Sequence, residues 1–185
     1  MGEREGRGPS RPALEGELTR LRAVEPTDAS ILNPLFVDPD VLSGLQVAMP
    51  QSLQGFRDYV EWVRTKTDTA FFIIERLEDR APTGGCSLEQ IESRARTAVL
   101  GIWIGKPFWD RGYGTDAVRT ICRFGFRHLN LQRIELNVFA TNPRGRRAYE
   151  KVGFKLEGTR RRAAFVGGRH VDSHLMGLLA EELVE

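Results

Sequence analysis

The sequence predicts an α+β fold: a mixed, mostly antiparallel central sheet with helices on its faces. Three observations carry this. Between Ala70 and Ile104, three apolar, β-rich runs follow one another with short polar breaks, as in an antiparallel meander. Two amphipathic stretches, about Thr115 to His128 and Asn142 to Gly153, then flank one β-rich segment, Arg133 to Phe139. The chain closes on two long strand-like segments, Phe154 to Phe165 and His170 to Leu178, joined at Gly167-Gly168. A length of 185 residues suits one domain with a core that needs no metal or disulfide staple.

Each element has its own local warrant. Residues 1–16 are mostly Gly, Arg, Glu and Pro with little to bury, and read as a disordered tail before a single domain at 17–185. Leu18, Leu21 and Val24 suggest a first strand, closed by Glu25-Pro26-Thr27-Asp28. A helical stretch from Ala29 to Phe36 is expected to be interrupted at Asn33-Pro34, and Asp38-Pro39-Asp40 to break it. Ser52 can cap a helix running to about Lys66, with Leu53, Phe56, Val60 and Val63 on one face. Ala70 to Ile74 is a buried strand, Ala81 to Gly85 a turn, Cys86 to Gln90 the next strand, and Ala98 to Ile104 a further one. In the later helices, Ala117, Val118, Ile121, Cys122 and Phe126 form an apolar stripe. Asn142-Pro143 is a cap followed by a first-turn proline, and Gly153 is a stop. The predicted order is β-α-α-β-β-β-α-β-α-β-β.

Composition excludes several function classes. With 27 basic and 25 acidic residues the net charge is +2, too balanced for a dedicated nucleic-acid binder. No apolar run reaches the roughly 20 residues of a membrane-spanning helix, and the N-terminus lacks a secretory apolar stretch, so the expectation is a cytoplasmic protein with no membrane partner. Cys86 and Cys122 lie far apart in apolar settings and read as reduced core residues. His170, Asp172 and His174 alternate along one strand face, but on an ordinary hairpin they read as surface residues, and no metal is expected.

The most informative segment is Trp109-Asp110-Arg111-Gly112-Tyr113-Gly114-Thr115, which joins a strand to a helix start. Gly112 and Gly114 let backbone N–H groups converge, and the helix N-terminus adds partial positive charge. This suits a phosphate or pyrophosphate, although a plain turn would also use glycines here. A P-loop is excluded, because Gly105-Lys106-Pro107 has the wrong spacing and no hydroxyl. The dinucleotide fingerprint fits Gly112, Gly114 and Ala117, but the loop lies past the chain's midpoint and no second βαβ unit follows.

The segments Gly101 to Ala117 and Asn142 to Phe154, the latter reading NPRGRRAYEKVGF, resemble the cofactor motif and the later N-x-x-S-x-x-x-Y-E-K-x-G-F segment of the GNAT acetyltransferase superfamily. The closing Glu157-Gly158 and Gly168 to Asp172 are similar to its RimJ/RimL-like and spermidine acetyltransferase branches. The resemblance covers roughly residues 18–180. It implies the GNAT fold and acetyl-CoA as co-substrate. The backbone of Arg111, Gly112, Gly114 and Thr115 would grip the pyrophosphate. Ile102, Trp103 and Ile104 would be the splayed strand that pairs with the pantetheine arm, and Asn142 would cap its helix and touch that arm. Arg144, Arg146 and Arg147 are candidates for the 3′-phosphate. The acceptor would be an amine, small or at a protein N-terminus, and a homodimer is compatible.

Transfer from a thioester to an amine needs donors for the developing oxyanion, a neutral amine and a proton for the departing thiolate. Tyr149 is the choice for that proton donor: it lies about two helical turns past Pro143, and an ordinary phenol (pKa ~10) is protonated at neutral pH. On spacing alone a tyrosine there would pack in the core; the motif assigns it the proton. The sequence departs from the family pattern at Trp109, which replaces Gln or Arg, and at Gly145, which replaces Ser. Val99, Asn137 and Ala164 stand where relatives carry a carboxylate base. Glu89, Glu92, Asp38 and Asp40 are the remaining candidates, with solvated surface carboxylates the plainer reading. Phe108 and Trp109 read as wedged against the sheet or lining the acceptor cleft. A CoA-binding module without catalysis is the alternative function.

Overall fold

The computed structural model describes residues 13–45 and 52–185. Among them the order is β1 (Thr19–Arg22), α1 (Asp28–Phe36), α2 (Pro39–Leu42), α3 (Leu53–Arg64), β2 (Ala70–Arg76), β3 (Pro82–Glu92), β4 (Thr97–Ile104), α4 (Tyr113–His128), β5 (Arg133–Phe139), α5 (Pro143–Val152), β6 (Lys155–Val166) and β7 (Arg169–Leu179). The strands form a sheet in the order β1-β2-β3-β4-β5-β7-β6. Every pairing is antiparallel except β4 with β5.

Side-chain alternation explains the layers, because successive strand residues point to opposite faces. Ile74, Cys86, Leu88, Ala98 and Leu100 pack with Ala117, Val118, Ile121 and Cys122 of α4. On the other face Ile73, Phe71 and Trp103 meet Ala29, Leu32 and Phe36 of α1 and Phe56 and Val60 of α3. Strands β2 to β4 are thus buried between two helical layers, and each fully buried Leu or Ile contributes about 1.5–3 kcal/mol. Cys86 and Cys122 are free thiols within this core, as expected. No helix among the described residues is long and apolar enough to cross a membrane.

Three local expectations are corrected. The segment Pro82–Gly85 is strand, not turn: a Cβ on Gly84 would overlap the Trp103 carbonyl oxygen, so this glycine permits close strand approach. The turn lies earlier, where Arg80 takes a left-handed φ of 64° and its N–H bonds the Arg76 carbonyl. Helix α1 runs through Pro34, with the Val37 N–H still bonded to the Asn33 carbonyl. Burial of Leu32 and Phe36 on either side of the proline outweighs the one lost ladder bond. Beyond it, Asp38 caps the short α2 by accepting from the Asp40 N–H. Finally, residues 13–16 belong to the fold rather than to a tail. Leu14 packs on the core and accepts a backbone bond from Leu21, and Glu15 bridges to Arg20. Residues 1–12 of the expected tail lie outside the described residues.

Candidate active site

The site begins where the sheet divides. Strands β4 and β5 pair only through Thr97–Val99 and Arg133–Glu135. Past that seam a cleft of about 1450 Å³ opens, lined by Val99–Ile104 of β4, Asn137–Phe139 of β5 and the first turns of α4 and α5. Each helix comes next after one of the diverging strands, α4 by way of a short turn at Lys106–Phe108, and both N-termini reach the same cleft.

Helix α4 enters through a left-handed glycine: Gly112 has φ 84° and ψ −13°. Its first ladder bond runs from the Asp116 N–H to the Gly112 carbonyl. No side chain caps the helix, so the N–H groups of Tyr113, Gly114 and Thr115 lack intrahelical partners. Such an end attracts an anion. Gly112, Gly114 and Thr115 line the cleft, while Arg111 is exposed and is not among the lining residues. Trp109 braces the loop, its indole Nε1 donating to the Ile104 carbonyl at 2.7 Å. The Arg144 guanidinium lies 3.3 Å from the Trp109 ring centre, and burial pulls its pKa below the ordinary arginine value. Trp109 and Phe108 both line the cleft. Of the three arginines on α5, Arg144 and Arg147 line the cleft, whereas Arg146 pairs with Glu150 at 2.8 Å.

Helix α5 is capped differently. Asn142 accepts from the Gly145 N–H at 2.9 Å, as its sequence position predicts. A Cβ on Gly145 would stand 2.8 Å from the Asn142 amide nitrogen, so the missing serine leaves room for the cap. Tyr149 lines the cleft with its ring edge-on to Phe154, centres 5.9 Å apart. Burial pushes its phenol up to about 12. The structure therefore brings Ile102, Trp103, Ile104, Gly112, Gly114, Thr115, Asn142 and Tyr149 to one cleft.

The opposite side of the divided sheet carries a grouping that no local sequence pattern shows. Phe36, Tyr59, Phe71 and Trp103 form an aromatic wall, with Phe36 and Trp103 edge-on at 5.1 Å. They come from four elements, so no local spacing announces them. Asp116 has a role that its local sequence does not show: it points away from the cleft and binds the segment that leads into β1. Among the base candidates, Glu89 and Asp40 line the cleft. Glu92 instead accepts the turn N–H groups of Arg94 and Ala95, and Asp38 is the α2 cap. His170, Asp172 and His174 each have a separate neighbour: Phe165, the Arg162 N–H and Thr159.

A cleft at a strand divergence, with a bare helix end on one side, fits a long acyl carrier ending in phosphates. Comparison with known proteins agrees. Residues 19–155 match the model of the acetyltransferase (GNAT) domain family. The uncharacterized N-acetyltransferase p20 of Bacillus licheniformis is 27% identical over 173 residues, covering 91% of this chain and 97% of that one. The L-amino acid N-acetyltransferase AaaT of Escherichia coli is 32% identical over 89 residues, 48% of this chain and 55% of that protein. The fold superposes on the crystal structure of spermidine N-acetyltransferase from Vibrio cholerae in complex with CoA and spermine. There the TM-score is 0.82 and the identity 24%, over 89% of this chain and 97% of that one. The chain belongs to the GNAT acetyltransferase family.

Proposed function

We propose that the protein transfers an acetyl group from acetyl-CoA to a primary amine, in the manner of the RimJ/RimL-like branch. One observation carries the reading: the uncapped start of α4 and the Tyr149 phenol face the same cleft at the strand divergence. The N–H groups of the Arg111–Thr115 loop hold the donor's pyrophosphate, and the diverging edge at Ile102–Ile104 offers backbone groups to its arm. Asn142 keeps α5, and with it Tyr149, in register. Arg144 and Arg147, which line the cleft, supply the cation for the donor's remaining phosphate. The neutral amine nitrogen bonds to the acyl carbon, the carbon–sulfur bond breaks, and the nitrogen's proton passes to solvent. Tyr149 Oη gives its proton to the departing sulfur and is reprotonated from solvent. Val99, Asn137 and Ala164 carry no carboxylate, so none of the three takes the amine's proton.

The acceptor is a small amine or a protein N-terminus. AaaT, named for L-amino acids, and the spermidine enzyme that shares the fold lie on the small-amine side. Release of free thiol from acetyl-CoA, followed across amines and N-terminal peptides, tests the proposal. Turnover with any of them upholds it. Tight acetyl-CoA binding with no acceptor consumed would instead identify a CoA-binding module.

A further inference from the structure

Glu89 occupies an unusual position in β3. It stands opposite Val99, one of the last residues of the seam that joins β4 to β5. Leu88 packs under α4, so alternation turns Glu89 to the opposite face, toward α3 and the aromatic wall. Gly101, across the next rung, clears the space beside it: a Cβ there would lie 2.7 Å from Ser87 Oγ and 3.3 Å from Glu89 Oε1. Ser87 donates to Glu89 Oε1 at 2.6 Å and fixes the carboxylate. The strand bulges immediately beyond, with Gln90 at φ 52°. Tyr59 senses the group: burial, and then the Glu89 charge, raise its phenol above the ordinary value.

The carboxylate has no cationic partner among the described residues. The other two carboxylates of the cleft are engaged elsewhere. Asp40 meets Lys106 Nζ at 2.5 Å, and the Asp110 charge in the glycine loop acts on Arg144. Arg144, Arg147, Lys151 and Arg169, the cations that line the cleft, come from α5 and the tip of the closing hairpin. The wall side thus has one uncompensated negative charge, set among Phe36, Tyr59, Phe71 and Trp103. A half-buried anion in such surroundings gains most from a cation that brings its own hydrophobic stem.

We infer that Glu89 is the ligand of the acceptor's ammonium group, which gives up one proton to water before it attacks, and that the pocket selects amines with one cationic group on an apolar or aromatic stem. This rests on the amine-acetylation reading and deepens it. A polyamine is disfavoured, because its further ammonium groups would meet aromatic rings with no second free carboxylate.

The test separates binding from chemistry. 2-Phenylethylamine, n-butylamine and spermidine are titrated calorimetrically into CoA-loaded protein, where no acyl group can move. Wild type should bind 2-phenylethylamine most tightly. Glu89→Gln should weaken it by about tenfold or more, with CoA affinity and thermal midpoint unchanged, and Glu89→Asp should restore part of the loss. Equal affinity in wild type and Glu89→Gln, tighter binding of spermidine, or no amine binding would each overturn the assignment. A Glu89→Gln chain that failed to fold would leave Trp103→Ala as the second variant. Unchanged phenylethylamine affinity in it would sink the stem-binding wall. Amine binding without thiol release from acetyl-CoA would instead refute the proposed transfer and leave Glu89's role standing.

Discussion

The Asp116 carboxylate, in the first turn of α4, accepts from both the backbone N–H and the hydroxyl of Thr19, at 2.9 and 2.7 Å. It also takes the N–H groups of Glu17 and Leu18. One buried side chain thus ties the start of the fold to the helix that opens the cleft. Asp116→Ala would strand the fully buried donors of Thr19. The expected loss is about 3 kcal/mol or more in urea unfolding, since each orphaned buried donor costs about 1–3 kcal/mol. A loss under about 1 kcal/mol would mean that water replaces the carboxylate.

Removing the Tyr149 hydroxyl isolates its proton. Tyr149→Phe keeps the ring against Phe154 and should bind acetyl-CoA as wild type does. Turnover should fall on the order of 10²-fold, the lower range for a general acid. Single-turnover kinetics with a saturating amine measures this, and an unchanged rate removes Tyr149 from the mechanism.

The pH profile follows from the same phenol. Its folded pKa is raised to about 12, so the proposed donor stays protonated throughout an ordinary assay range. The neutral fraction of an alkylamine acceptor, however, rises about tenfold per pH unit below its own pKa of roughly 10. The kcat/KM for the amine should therefore climb from pH 7 to about 9.5 with no descending limb. A fall above pH 8 would assign the proton to another group.

Acid stability depends on Arg22, which bonds Asp28 at 2.7 Å and also pairs with Glu75. Burial alone would raise both carboxyl pKa values, but the hydrogen bonds from Arg22, joined at Glu75 by Arg20, hold both below their ordinary range. The unfolded chain then takes up protons first, so this stability is present above about pH 4.5 and is lost as pH falls. Arg22→Ala should lower the thermal midpoint most near neutrality and least near pH 3. A gap between the two proteins that stays constant with pH would contradict the linkage.

Gly112 offers a direct test of the loop. A side chain there must adopt φ 84° and would stand 3.1 Å from the Leu18 methyl. Gly112→Ala should cost about 1–2 kcal/mol of stability. It should also weaken CoA binding about tenfold or more, by crowding the N–H groups at the helix start. Gly158→Ala has open space around it and serves as the control, within about 0.5 kcal/mol.

Much of this arrangement is legible locally. Arg133–Phe139 and the helix between Asn142 and Gly153 appear where propensity and capping place them, because their signals lie within the segment itself. Gly84-Gly85 misled, since a glycine that yields room to a neighbouring strand looks in sequence like one that makes a turn. Pro34 misled for a related reason: the tertiary burial of α1 is invisible to local rules. Tyr149 and the Gly112 loop were placed by motif, whereas the aromatic wall and the setting of Glu89 arise from strand pairing across distant segments. Alternation around Leu88 could have told which way Glu89 points, but not that Gly101 leaves space for it.

Because three rungs alone fasten β4 to β5, the polypeptide leaves its own sheet half-sewn. An arm laid along the loose edge of β4 would act as a stitch from outside the chain, holding the two leaves shut from the open end. Amide hydrogens of Leu100–Ile104 should then exchange more slowly when CoA is present, while those of Arg133–Glu135 hardly change. The enzyme would be tautest when loaded and slackest between turnovers.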